Sequence, residues 1–200
     1  MKKSVLAIVI VLLLAACSKN NEAKIHCVVT ERTGEIIWKG SAPDHFHTGF
    51  LDLKGDFYIN EAGKISSGEF TIPLSSITNY DLPDSLKDQL VTHLKGPDFF
   101  NILVHPNASF SISKVEAYNG TEGIPDANYR VTGQFSLIGQ THEISFPAKV
   151  RTTADSVFIQ AKVTFDRLKW GMTSYNDPSK TLYILPEINA DLYIGGGKER

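Results

Sequence analysis

Apolar and polar side chains alternate along most of this chain. Leu51, Leu53, Phe57 and Ile59 hold one phase, while Asp52, Lys54, Asp56 and Tyr58 hold the other. The same period returns at Phe70, Ile72 and Leu74, at Tyr129, Val131, Phe135 and Leu137, and at Ile144, Phe146, Ala148 and Val150. It continues through Val157, Ile159, Ala161, Val163 and Phe165, and ends with Leu182, Ile184, Ile188, Ala190, Leu192 and Ile194. Successive side chains of a strand point to opposite faces, so this rhythm predicts strands with one buried and one wet face. Turn-forming residues fall between the runs, at Asn60–Gly63, Asn119-Gly120, Ile138-Gly139-Gln140 and Ala154-Asp155. About eight such strands make an antiparallel barrel or a sandwich, and alternation alone does not choose between them.

One segment changes period. Leu82, Leu86, Leu90 and Leu94 recur every four residues, the stripe of an amphipathic helix. Asp81 or Asp84 is placed to cap its start, and Lys95-Gly96-Pro97 to end it, with Gly96 suited to a left-handed cap. The expectation is a helix over about 84–94, its leucines packed on the sheet or over an open end of it.

The first residues are of another kind. Two lysines precede ten unbroken apolar residues, Val5 to Leu14. That is half of the roughly 20 that a membrane-spanning helix needs, and it has the form of a secretory signal. Leu14-Ala15-Ala16-Cys17 matches the lipobox of bacterial lipoproteins, which makes 1–16 a signal peptide and Cys17 the acylated first residue of the mature chain. Anchoring through acyl chains, without spanning, follows. Ser18 after the cysteine, in place of Asp, fits sorting to the outer membrane where that rule operates. Ser18 to Lys24 is polar and reads as a tether. The whole chain has 20 Lys and Arg against 22 Asp and Glu, and loss of Lys2 and Lys3 takes the formal charge from −2 to −4. No basic excess exists to hold nucleic acid. With Cys17 acylated, Cys27 has no partner in the chain and is either a buried apolar residue or a free thiol.

Motifs for enzymatic chemistry are missing. There is no Gly-x-Ser-x-Gly, no His-Glu-x-x-His, no phosphate loop and no dinucleotide fingerprint. Gly195-Gly196-Gly197-Lys198 reads as a flexible tail. His45 and His47 share a face if extended and would start a zinc or copper site, with His93, His105, His142 and Glu143 as further ligands. Nothing in the sequence gathers these, and the neighbouring Pro43 and Gly49 favour exposed loop histidines.

A resemblance enters with Ser76-Ile77, His93-Leu94 and Pro97-Asp98-Phe99-Phe100, followed by Pro106 to Phe110. Val131 to Gly139 with Thr141 to Ile144, then Phe165-Asp166-Arg167 and Trp170-Gly171-Met172, complete the series in order. Over residues 34–194 the chain resembles the YceI-like family. It departs at the first strand, where Thr33 to Gly40 stands in place of His-Ser-x-Val-x-Phe. The resemblance implies a lipocalin-like, eight-stranded antiparallel barrel holding a long apolar ligand, an isoprenoid or related lipid. On that basis the inward residues expected to bind it are Leu53, Phe57, Phe70, Ile72, Phe110, Phe135, Leu137, Phe146, Phe165 and Trp170. Taken singly, each also reads as core. His93 is expected to hold the helix end or the Pro-Asp-Phe-Phe loop, or to meet a ligand head group, and Asp98 to accept backbone N–H groups in the turn.

The expected organisation is a signal at 1–16, a lipidated Cys and tether at 17–28, an all-β barrel at 29–195 and a tail at 196–200. The expected function is binding of a hydrophobic small molecule in the cell envelope for storage, transfer or stress protection, with no metal, nucleic acid or other cofactor. The alternative is a scaffold whose barrel is filled.

Overall fold

The computed structural model describes residues 24–199. The signal segment, Cys17 and the tether up to residue 23 lie outside the described residues. Ten strand segments follow one another: β1 (Lys24–Val29), β2 (Gly34–Ser41), β3 (Phe46–Asp52), β4 (Lys54–Asn60), β5 (Ile65–Pro73), β6 (Asn107–Ala117), β7 (Tyr129–Leu137), β8 (Gln140–Thr152), β9 (Ser156–Asp166) and β10 (Glu187–Lys198). They form one antiparallel sheet in the order β1-β4-β5-β6-β7-β8-β9-β10-β2-β3, and β1 pairs with β10 as well. That pairing closes the sheet, with Cys27 opposite Lys198 and Val28 opposite Gly197.

Ten segments make eight staves. β1–β2 and β3–β4 are the two arms of one long hairpin, each arm bent once. Where the arms bend, the Leu53 amide donates to the Gly34 carbonyl at 3.2 Å. A Cβ on Gly34 would lie 2.2 Å from the Leu53 oxygen, so only glycine permits this approach. The result is the closed eight-stranded antiparallel barrel that the sequence led us to expect.

The two ends of the barrel are built differently. The lower end carries the start of β1, the turns at 61–64 and 153–155, the 118–128 loop and the end of β10. The upper end carries the 42–45 and 138–139 turns and two long connections, 74–106 and 167–186. Ile138 and Gly139 both have positive φ, 42° and 80°, the geometry of a tight hairpin turn. After β5 the chain turns back to line the free edge of β3: Phe50 and Thr78 exchange backbone hydrogen bonds, and the Tyr80 amide donates to the Thr48 carbonyl.

Several local expectations are corrected. Residues 24–28, assigned to the tether, form most of β1, where Cys27 is fully buried. The glycines at 195–197 and Lys198 belong to β10, because β9 pairs with it as far as Gly197 and β1 closes on its end. Leu182 and Ile184 precede β10 and sit in the connection. The helix α1 (Asp84–Lys95) has Pro83 at its N-cap with no side-chain cap, because Asp81 is taken up by β3. Gly96 at its end is extended, at φ −75°. None of its residues is buried, and Leu86 is 48% exposed. Only Val91 and Leu94 of the helix pack against the core; Leu82 and Leu90 are half-buried, so the leucine stripe is only partly covered.

Candidate functional site

The inner face of the sheet converges on one cavity of about 100 Å³. Every side chain lining it is apolar, from Leu53, Phe70 and Ile72 on one wall to Phe135, Val163 and Phe165 on another. Seven of the ten residues predicted from sequence line it: Leu53, Phe70, Ile72, Phe110, Phe135, Phe146 and Phe165. The wall also contains Val131, Ala190 and Ile194, which share the apolar phase, and Ile36 and Ile65, which the reading of phases did not single out. Phe110, Ile112, Ile144, Phe165, Ala190 and Leu192 are only half-buried although they line the cavity.

Phe57, Leu137 and Trp170 do not line it. Phe57 lies fully buried in the lower barrel, its ring over Gly196, where a Cβ would come within 2.4 Å. Leu137 is buried at the top of β7. Trp170 closes the upper side: its ring packs on Phe135, Phe165 and His142, and its indole Nε1 donates to the Phe135 carbonyl at 3.1 Å. Phase alone marks an inward residue; it does not tell a wall from a floor or a lid.

A cavity without polar lining stays dry, since water needs partners. Water takes about 30 Å³ per molecule in the liquid, so the space corresponds to only a few such volumes. The interior is a packed core with a slot, and a longer chain enters it only if wall rings such as Phe110 and Phe165 swing aside.

The upper end is held by polar groups. Arg167 is 1% exposed, and its guanidinium donates to the carbonyls of Leu185, Ser174 and Ile184 at 2.8–3.2 Å and to that of Met172. Burial pushes its pKa down, against the charge of Asp166. Arg167 thereby fixes the 171–186 connection over the barrel. An arginine next to a strand end gives no sequence signal for this, because its partners are main-chain carbonyls of no particular residue type.

The remaining candidates settle individually. His93 Nε2 lies 3.0 Å from Asp98 Oδ2 and 3.4 Å from the Tyr175 hydroxyl, with Phe99 and Tyr175 edge-on to its ring. It therefore holds the Pro-Asp-Phe-Phe loop, and Asp98 meets the imidazole where backbone N–H groups were expected. His47 pairs with Asp81 and His45 with Asp44, at 2.7 and 2.6 Å. Among the described residues no group of three or more His, Cys, Asp or Glu is placed to hold a metal ion. Burial raises the Cys27 thiol pKa, as for a small apolar residue of the core.

Comparison with known proteins agrees with this architecture. Residues 30–194 match the YceI-like domain, and residues 1–18 match the prokaryotic membrane lipoprotein lipid attachment site. The fold is similar to that of Burkholderia cenocepacia BcnA, at TM-score 0.64 and 17% identity, covering 84% of this chain and 98% of that one. It is also similar to a Campylobacter jejuni YceI protein, at TM-score 0.57 and 16% identity over 74% of this chain and 82% of the other. A mutant of that protein was crystallised with a monobromobimane guest, and it matches at TM-score 0.58. No curated protein sequence matches. With the barrel closed, its interior apolar and a lipid attachment site ahead of it, the chain belongs to the YceI-like family as a lipid-anchored protein of the cell envelope.

Proposed function

We propose that this lipoprotein reversibly binds a slim hydrophobic molecule, an isoprenoid or related lipid, inside its barrel, for storage, transfer or stress protection. The YceI-like family is one of binding barrels and not of enzymes. The observation that carries the reading is the wholly apolar cavity with half-buried phenylalanines on its wall. Filling it removes apolar surface from water at about 25 cal/mol per Å², against the cost of ordering the ligand and moving the rings. Ser18 after the acylated Cys17 supports residence at the outer membrane.

Native mass spectrometry of the full chain from its own host, followed by organic extraction, tests it. The expected result is a stoichiometric isoprenoid that is lost when Ile144→Trp fills the slot. An empty protein that takes up no added polyprenyl lipid would sink the proposal. It would move the weight to an envelope scaffold, a reading favoured by Leu103, Val104 and Leu182, which are 96%, 64% and 68% exposed at the upper end.

A further inference from the structure

A larger space lies on the outside of the barrel. It is a groove of about 380 Å³ at mid-height, where the β1–β2 arm bends away from β10. Across β9, β10, β2 and β3, the residues Gln160, Tyr193, Glu35 and Asp52 stand directly opposite one another, so all four share the outer face. Two residues further along β10 the row is vacant. Phe158 stands opposite Gly195, and the β2 side is taken by the Thr30–Thr33 turn, whose Thr33 carbonyl accepts the Gly195 amide.

Gly195 is not a glycine by steric necessity. A Cβ there would meet its nearest neighbours, on Thr33 and Phe158, at 3.6–3.7 Å, which is ordinary contact, and its φ is not in the left-handed region. By contrast Gly34 and Gly196 would place a Cβ 2.2 and 2.4 Å from their neighbours. Glycine inside a strand costs stability and often marks the close approach of a ligand. Its missing side chain here leaves the groove open between Phe158 and Tyr193, which are 39% and 46% exposed. One face of Phe158 already stacks a cation, the Arg151 guanidinium, at 4.5 Å.

On the acidic side, Glu35 stands opposite Asp52 in the β2–β3 register, which puts two carboxylates on one face of the sheet with no base between them. Burial, with the charge of Glu31, pushes the Asp52 carboxyl pKa up. Glu31 is paired with Lys54 at 2.9 Å, while Glu35 has no ion-pair partner among the described residues. Arg32 is the one basic residue lining the groove, against Glu31 and Glu35.

We propose that this groove binds a small organic ammonium ion, its charge facing Glu35 and its apolar groups lying over Gly195 against Phe158 and Tyr193. Aromatic faces beside a carboxylate are the chemistry that recognises quaternary and primary ammonium groups. The site does not depend on what the barrel interior holds.

Calorimetric titration of the full chain in a non-ionic detergent with choline chloride tests this, with 3,3-dimethyl-1-butanol as the neutral isostere. Saturable binding is expected for choline only. Tyr193→Ala and Glu35→Gln should each weaken it by about tenfold or more. Gly195→Leu, which fills the groove, should abolish it, while Gly197→Ala leaves it unchanged, since nothing lies within 4 Å of that position. If Gly195→Leu fails to fold by circular dichroism, the Tyr193 and Glu35 variants decide. No saturable binding, equal binding of the alcohol, or choline binding undisturbed in a folded Gly195→Leu or in both other variants overturns the proposal.

Discussion

The lower and upper halves of the barrel are held together by different means. Below, short turns join the strands, and Phe57, Ile59, Ile65, Val157 and Cys27 pack with almost no exposure. Above, two long connections cross the end, and what fixes them is polar: Arg167 on four carbonyls, Asn79 and Asp81 on β3 and the residues beside it, Trp170 on the Phe135 carbonyl. Apolar packing tolerates small shifts and spreads its loss over many contacts. A carbonyl clamp works only in one geometry and fails as a unit. The difference predicts a rigid lower body beneath an upper end whose order hangs on a few side chains.

The largest effect should come from below. Phe57→Ala should cost about 3–5 kcal/mol in chemical denaturation, with the whole barrel unfolding in one transition. Above, Arg167→Met leaves carbonyls without donors and should cost about 3 kcal/mol. Hydrogen exchange should show that loss concentrated in 171–186; equal loosening of β4 and β5 would break the comparison. Arg167→Lys, which keeps the charge without the fork, should recover only part.

Asp81 comes next. Burial raises its carboxyl, but the Thr48 amide, His47 and Asn79 outweigh this and leave its pKa lowered. Asp81→Ala should cost roughly 1–2 kcal/mol, read as faster exchange at Thr48 and along β3. With a lowered pKa in the fold, the support from Asp81 is present above the ordinary carboxylate range and fades as pH falls through the folded value.

The smallest effects mark the two extremes of the molecule. At the lower seam His26 has its pKa raised, chiefly by its hydrogen bond to Glu199 and against burial, with the charges of Glu199 and Asp56 assisting. Its contribution is therefore full below about pH 6.5 and is lost as pH rises through the folded value. Denaturation curves between pH 6 and 8 should show a slight downward slope that His26→Gln removes. At the upper rim Leu103→Ser should change stability by less than about 0.5 kcal/mol, since the side chain is 96% exposed. A larger loss there would mean that the rim, too, is part of the core.

The same division explains what was legible beforehand. Alternation reports which side of a strand faces in, so Phe70, Ile72, Phe135, Phe146 and Phe165 could be placed on the inner wall from sequence, with Phe110 added by the family resemblance. It is silent where side chains are absent or where the main chain is the partner. Gly195 to Gly197 carry no phase, yet β9 and β1 fix them in the last stave. Leucines at intervals of four located α1, but spacing says nothing about whether a neighbour arrives to cover the stripe. Asp81 looked like a helix cap because it stands just before the helix. It binds β3 because Tyr80 has already brought the chain alongside that strand.

The strand that follows the lipid attachment segment is also the one that closes the barrel. β1 is bonded to β4 along six residue pairs and to β10 along two, and its first residue lies at the lower end, where the tether begins. A pull applied at Lys24 along the strand axis would load the six β1–β4 residue pairs together, in shear. Under such a load the rungs of β1 would have to fail together, where a pull across the strand would open them one at a time.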